Sequence, residues 1–321
     1  MIGRYVVRRL AAMLLLLVAF SFAVFTLQYL APGSVEQVMI GTRTSSPELR
    51  EAIRHQYHLD ESFLAQYGTW LEGVATLDFG DSIRTSQPVT SAISSRLPLT
   101  LTLGLYAFVL VVLVGLPLGV LAAVRRRRLA DRSVSALSVV GASAPPFATG
   151  IVLLYLFAVV LGWFPAFGEG GGAVDRLWHL TLPAVALAVS VMAYLVKFTR
   201  TATAAALEQD YVMFARARGV APRAVLLRYA LRNALIPIAT AGGMVLTTVL
   251  TGTVLVEATF ALPGLGSLLI ESVRFKDVPM VQGITMLVAA AVIVVNLLTD
   301  LVILLVDPRI RAGVAAPRPV T

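Results

Sequence analysis

The chain has 321 residues, 58% of them hydrophobic and 14% charged, with a mean hydropathy of +0.83. Soluble domains carry roughly a quarter charged residues, so the deficit places most of the chain in lipid. There is no cysteine, which excludes disulfides, iron–sulfur clusters and zinc–thiolate sites, and His55, His58 and His179 are too scattered for a His-only metal site.

In chain order, residues 10–30 form a first apolar run long enough for a bilayer core of ~20 residues. Arg4, Arg8 and Arg9 precede it. The run is longer than the ~7–15 residues of a signal-peptide core, so a retained signal-anchor helix is expected. Residues 32–97 are a polar insertion. Ser46-Pro47-Glu48 reads as a helix start, with Ser46 as cap and Pro47 in the first turn. Phe63, Tyr67, Trp70 and Leu71 suit a membrane or subunit surface, and a small helical cap is expected here rather than an active site.

Five further spans are predicted over 99–124, 134–164, 180–197, 236–256 and 281–306. Arg125 to Arg128 follow the second span and read as a stop-transfer signal against anionic headgroups. Pro145-Pro146 must bend or break the third, because backbone donors are lost there. Glu169 and Gly170 to Gly172 read as a turn. Thr247, Thr248, Thr251 and Thr253, with Gly242, Gly243 and Gly252, give the fifth span a small, hydroxyl-bearing surface. That surface serves either close helix packing or a hydrated path. Asn296 and Asp300, one turn apart on the last span, read as helix–helix glue.

The net charge of +8 is no nucleic-acid footprint, because the charge alternates by loop. With six spans, both termini and the second and fourth loops share one side. That side holds 18 of the 26 Lys and Arg residues, so it is expected to be cytoplasmic.

The segment 207–237 reads LEQDYVMFARARGVAPRAVLLRYALRNALIP. It consists of two basic amphipathic pieces hinged at Gly219. Leu207, Tyr211, Phe214 and Ala215 recur at helical spacing and predict one packed face. Gly219 ends the first helix and Pro222 opens the next. A basic helix–glycine–helix between spans is a docking element for a cytoplasmic partner. No catalytic constellation accompanies it. The chain lacks G-x-x-x-x-G-K-[ST], H-E-x-x-H and G-x-S-x-G, and no cofactor is expected.

This segment resembles the cytoplasmic "EAA" loop of permease subunits from binding-protein-dependent ABC importers. Ala215, Gly219 and Leu231 fit the general pattern. Asp210, Tyr211, Ala215, Arg216, Ala217, Gly219 and Leu231 to Pro237 fit the peptide-permease form, D-Y-x-x-x-A-R-A-K-G-L followed by L-R-N-A-L-I-P. Asp78-Phe79-Gly80-Asp81-Ser82, Gly162-Trp163-Phe164-Pro165 and Phe260 to Gly266 are similar to the B-type subunits of dipeptide and oligopeptide importers. So is Asp307-Pro308-Arg309-Ile310-Arg311. The likeness runs from Arg8-Arg9 to Arg311.

The resemblance implies an all-α membrane protein of type I ABC importer permease fold, with six transmembrane helices and an external insertion after the first. Residues 1–31 would be the N-terminus and first helix, 32–97 the insertion, 98–311 a five-helix core with coupling loop 199–235, and 312–321 a disordered tail. It implies a non-catalytic, multi-pass subunit of a bacterial inner membrane, with both termini cytoplasmic. The implied partners are a homologous C-type permease, two ATP-binding subunits (or one fused ATPase), an external solute-binding protein and membrane lipids, with no nucleic acid. Asp210, Tyr211, Phe214, Ala215, Arg216, Ala217 and Gly219 would form the ATPase-coupling surface. Pro145, Pro146, Met244, Thr247, Thr248 and Thr251 would border the translocation path. The cargo would be di- or oligopeptides. A nickel chelate or another small solute fits the same architecture. An ATPase-independent carrier is a more distant reading, for which Asp300 is the one plausible intramembrane acid.

Overall fold

A computed structural model describes residues 2–30 and 60–306. The helix start expected at Ser46-Pro47, His55, His58 and everything beyond residue 306 lie outside the described residues. Those residues are almost wholly helical. In order they form α1 (Ile2–Leu30), α2 (Phe63–Ala75), α3 (Val89–Val124), α4 (Leu129–Ser143), α5 (Pro146–Val160), α6 (Ala173–Leu207), α7 (Asp210–Ala217), α8 (Pro222–Thr259), α9 (Leu265–Arg274) and α10 (Val278–Val306). Among the described residues, five helices are long and apolar enough to cross a membrane, and α4 with α5 makes a sixth span if that bent pair counts as one.

The helices outrun the apolar runs that foretell them. The fourth span, expected over 180–197, is the 35-residue α6. Hydropathy detects only the lipid-facing middle of a helix. Its amphipathic flanks stay helical because no breaker stops them and tertiary packing supports them. The third span is broken, as Pro145-Pro146 requires. Pro145 has φ −58° and ψ 142° and Pro146 opens α5. The two halves meet at 99°. Ser190 Oγ donates to Ala144 O at 3.1 Å, giving a backbone acceptor at the break a partner. Two π-helical stretches, Leu154–Val160 and Val225–Ala230, have no sequence signature.

The chain divides into two compact units, Met1–Pro98 with Ser267–Ile293 and Leu99–Gly266 with Val294–Thr321. In the first, aromatic side chains join α1 to α2. Phe22 lies 5.7 Å from Phe63 between ring centroids, and Phe25 lies 5.5 Å from both Tyr67 and Trp70. Buried Ser21 shares a 2.8 Å hydrogen bond with the Tyr67 hydroxyl. The stripe expected to face membrane or partner is therefore largely spent on α1. Its apolar rings gain more by packing on the neighbouring helix than by waiting for an outside surface. The same unit holds a loop–helix clasp. Buried Asp277 accepts from Ser82 Oγ and, at 3.2 Å, from Ile83 N. Arg84 pairs with Glu271 and lies 4.2 Å above the Phe275 ring.

The second unit is built around an apolar core. Leu103, Ala107 and Val111 of α3 meet Leu180, Leu187 and Leu195 of α6 and Val245, Val249 and Val256 of α8. Small residues allow the approach. A Cβ on Gly119 would sit 2.6 Å from Thr199 Cβ, and one on Gly243 would sit 2.1 Å from Thr299 Oγ1. At the entry to α4, Asp131 holds Arg200 of α6 bidentately, with Nε–Oδ1 at 2.5 Å and Nη2–Oδ2 at 2.8 Å. It also accepts from Arg127 N at 2.9 Å.

One buried acid organises the end of α8. Glu257 is fully buried. Thr100 Oγ1 donates to its Oε1 at 2.7 Å and Gly266 N to its Oε2 at 2.7 Å. Thr100 Oγ1 also accepts from Leu265 N at 2.8 Å. The first-turn donors of α9 are thus capped by Thr100, far away in sequence, and by Glu257 at the end of α8. The approach is so close that a Cβ on Gly264 would lie 2.3 Å from the Glu257 carboxyl carbon, and one on Gly266 would lie 2.3 Å from Val254 Cα. Replacing Glu257 with Ala strands the buried Gly266 donor and the Thr100 hydroxyl, at a cost of about 2–4 kcal/mol. Detergent-phase thermal unfolding should show a clear loss of stability for Glu257→Ala. Glu257→Gln, whose amide oxygen still accepts from Gly266, should lose less. A midpoint for Glu257→Ala equal to the parent's would mean that the cap contributes nothing.

Candidate functional site

The hinge between α6 and α8 is built from local backbone chemistry. α6 ends at Leu207, and Gln209 is extended at φ −75° and ψ 149°, which re-aims the chain. α7 then carries Asp210 in its first turn and Arg216 in its last, each matching the helix dipole. At its end Gly219 takes φ +77°. Gly219 N donates to Arg216 O at 2.9 Å and Val220 N to Ala215 O at 3.1 Å. That pair of bonds is a Schellman motif. Ala221 is extended and Pro222 opens α8.

The motif's apolar contact is present too. Val212, Ala215 and Val225 are buried together, with Leu207 and Val220 packed against them. This corrects the expected packed face. Leu207 and Ala215 do turn inward, but Tyr211 is 37% exposed and Phe214 is 65% exposed. An eight-residue helix between two longer ones can bury only a narrow stripe, and Val212 with Ala215 fills it. Ala215 therefore belongs to the hinge's own core, not to an outward surface. The outward surface carries Tyr211, Met213 and Phe214 beside exposed Asp210, Arg216, Ala217 and Arg218. Large apolar groups exposed together on a short helix make a contact patch rather than a solvated face. At its base the exposed Arg126 pairs with Glu208. Exposed pairs of this kind contribute little stability.

The candidate path residues lie apart from this hinge in sequence. Met244, Thr248 and Thr251 fall on one exposed face of α8. Thr248 Oγ1 donates to Met244 O at 2.9 Å, and Thr251 Oγ1 to Thr247 O at 3.1 Å. Thr247 turns partly inward, and its buried hydroxyl has no hydrogen-bond partner among the described residues. The Tyr194 hydroxyl donates to Met244 Sδ at 3.1 Å. Pro145 and Pro146 act at the α4–α5 break.

Several important residues escape the sequence reading. Glu257 is the only acid between Asp210 and Glu271, and an acid beside a span is a signal in itself. Ending the fifth span at residue 256 hid it. It also corrects the expectation that Asp300 is the one plausible acid in the spans. Asp131 is the lone acid within the Arg125–Arg132 run, but its partner is 69 residues away and nothing local announces it. Among the described residues, no three His, Cys, Asp or Glu side chains converge as a metal site.

The model of the family described as "Binding-protein-dependent transport system inner membrane component" matches residues 115–312, and that family's N-terminal model matches residues 1–104. The dipeptide transport system permease protein DppB of Bacillus subtilis is 36% identical over 96% of this chain and 98% of its own length. The oligopeptide transport system permease protein AppB of the same organism is 36% identical over 96% and 99%. The di/tripeptide transport system permease protein DppB of Pseudomonas aeruginosa is 35% identical over 96% and 98%. Among solved structures, the MetNI methionine ABC transporter in an inward-facing conformation superposes with a TM-score of 0.57 at 20% identity, covering 67% of this chain and 96% of that one. That likeness establishes the fold of an ABC importer permease. With the hinge, the broken third span and the end-to-end matches in hand, the chain belongs to the family of binding-protein-dependent transport system inner membrane components, a multi-pass permease subunit that leaves ATP hydrolysis to a separate protein.

Proposed function

We propose that this chain is the B-type permease of an ATP-driven importer that brings di- or oligopeptides into a bacterial cell through the inner membrane. A homologous C-type permease completes the path. Two ATP-binding subunits, or one fused ATPase, dock below, and an external solute-binding protein delivers cargo from above. The observation that carries the reading is α7. It offers Phe214, Met213 and Tyr211 outward from a Schellman-terminated hinge, in a chain that aligns from end to end with peptide permeases. ATP-driven closure of the ATPases pushes on this helix, and the hinge passes the push into α6 and α8. The spans then alternate access between the two sides.

Both termini and the 199–235 loop lie in the cytoplasm in this reading, following the loop charge asymmetry. Reporter fusions after Thr85 and after Gly170 should report the outer side, and a fusion after Arg218 the inner side. An outer signal after Arg218 would invert the membrane orientation and remove α7 from any cytoplasmic ATPase.

Gly219 offers a sharper test. A Cβ there meets nothing within 4 Å, so substitution causes no clash. The cost lies in the backbone, where a β-branched residue at positive φ is penalised by roughly 1–2 kcal/mol. Gly219→Val should insert and assemble its spans, because they satisfy their own backbone bonds. It should lose peptide uptake and the stimulation of ATP hydrolysis by loaded binding protein, both read in proteoliposomes. Wild-type levels of both activities, together with a silent Phe214→Ala, would exclude α7 as the coupling element.

A further inference from the structure

A groove of about 490 Å³ runs between α4 and α6. That volume falls within the ~300–1,000 Å³ of small-molecule sites. We propose that this groove is a station on the peptide path, in which Lys197 receives the α-carboxylate of the translocated peptide. The proposal rests on the peptide-import reading above and adds a site to it.

The walls carry the argument. Ser138, Ser143 and Ser190 line the groove. Each hydroxyl donates to a backbone carbonyl, to Val134 O at 2.7 Å, Val139 O at 2.8 Å and Ala144 O at 3.1 Å respectively. A hydroxyl that donates in this way keeps acceptor capacity on its oxygen. The groove can therefore accept from peptide N–H groups or from water without any preference for side chains. Val139, Ala142, Ala193 and Val196 make most of the wall apolar, as small-molecule sites usually are, and the serine oxygens are the few polar points that orient a ligand.

Charge is set at one end. Lys197 and Arg200 both line the groove. Arg200 is engaged by Asp131 through two hydrogen bonds. Lys197 is exposed and has no ion-pair partner among the described residues. An ammonium on a flexible stem is a point charge that a carboxylate can meet from many directions. Every linear peptide with a free C-terminus carries that carboxylate, whatever its sequence. A station keyed to it would pass many peptides while holding none tightly.

Tyr194 links the groove to the α8 face. Its ring lines the groove, and its hydroxyl reaches Met244 Sδ at 3.1 Å. Met244 shares its exposed face with Thr248 and Thr251. One hydrogen bond thus joins a groove-lining side chain to that face.

The absence of cysteine from this chain makes the test clean. Ser138→Cys places the subunit's only thiol on the groove wall, and Ser143→Cys serves in its place if the first variant fails to insert. The complete transporter is reconstituted in proteoliposomes. Modification of this subunit is followed by mass with an anionic and with a cationic methanethiosulfonate reagent, with and without peptide, loaded binding protein and ATP. With each rate normalised to that reagent's rate with a free thiol, the anionic reagent should be favoured about three- to tenfold over the cationic one, as expected for one partly screened charge. Peptide under turnover should slow both reagents. Adding Lys197→Glu should reverse the reagent preference and raise the KM for peptide uptake. A thiol reached only by a lipid-soluble maleimide would assign the groove to lipid and overturn the proposal. So would a thiol that reacts equally with both reagents and gains no protection from peptide while uptake proceeds. A parent complex that takes up no peptide would instead overturn the import reading beneath it.

Discussion

A helix that stops within or beside a bilayer must find partners for its loose backbone groups inside the protein. Each important interruption in this chain meets that demand differently. At the α4–α5 break, Ser190 supplies a donor to Ala144 O. At the start of α9, Glu257 and Thr100 accept from Gly266 and Leu265. At the end of α7, the Schellman pair of bonds closes the helix on itself. The irregular points are therefore closed by the protein's own groups.

This bears on how a push could travel. α7 is tied inward by Val212 and Ala215, which pack with Leu207, Val220 and Val225. Those partners sit at the end of α6 and the start of α8, the two helices that also share the core around Leu187 and Val249. A force on the outer face of α7 thus meets a small apolar knot before it meets the spans. The large groups on the outer face, Met213 and Phe214, are more than half exposed in the isolated chain. They are left largely unpacked, which is the observation behind the docking surface proposed there.

Much of this was legible in the sequence where local chemistry decides. Gly219 before Pro222 announces a positive-φ stop and a new helix, and Pro145-Pro146 announces a break. The sense of α7 was not legible. Tyr211, Phe214 and Ala215 have the right spacing to share a face, but only tertiary packing decides that Val212 with Ala215 turns inward. The aromatic stripe from Phe63 to Trp70 misled for a related reason. An exposed-looking stripe is consumed once α1 offers Phe22 and Phe25. The clamps were illegible because they pair residues far apart, Asp131 with Arg200 and Thr100 with Glu257. The π-helical stretches depend on small changes in hydrogen-bond register that no residue type dictates.

The central claim is that the outer face of α7 docks on the ATPase. Its most direct measurement uses Phe214→Cys, the only thiol in this subunit, in the assembled transporter reconstituted in proteoliposomes. The thiol is charged with a short photoactivatable cross-linker, and the adducts are identified by mass. The account predicts cross-links to an ATP-binding subunit whose yield changes between nucleotide-free and ATP-trapped states. Adducts confined to lipid or to the partner permease, in a transporter that still imports peptide, would contradict it.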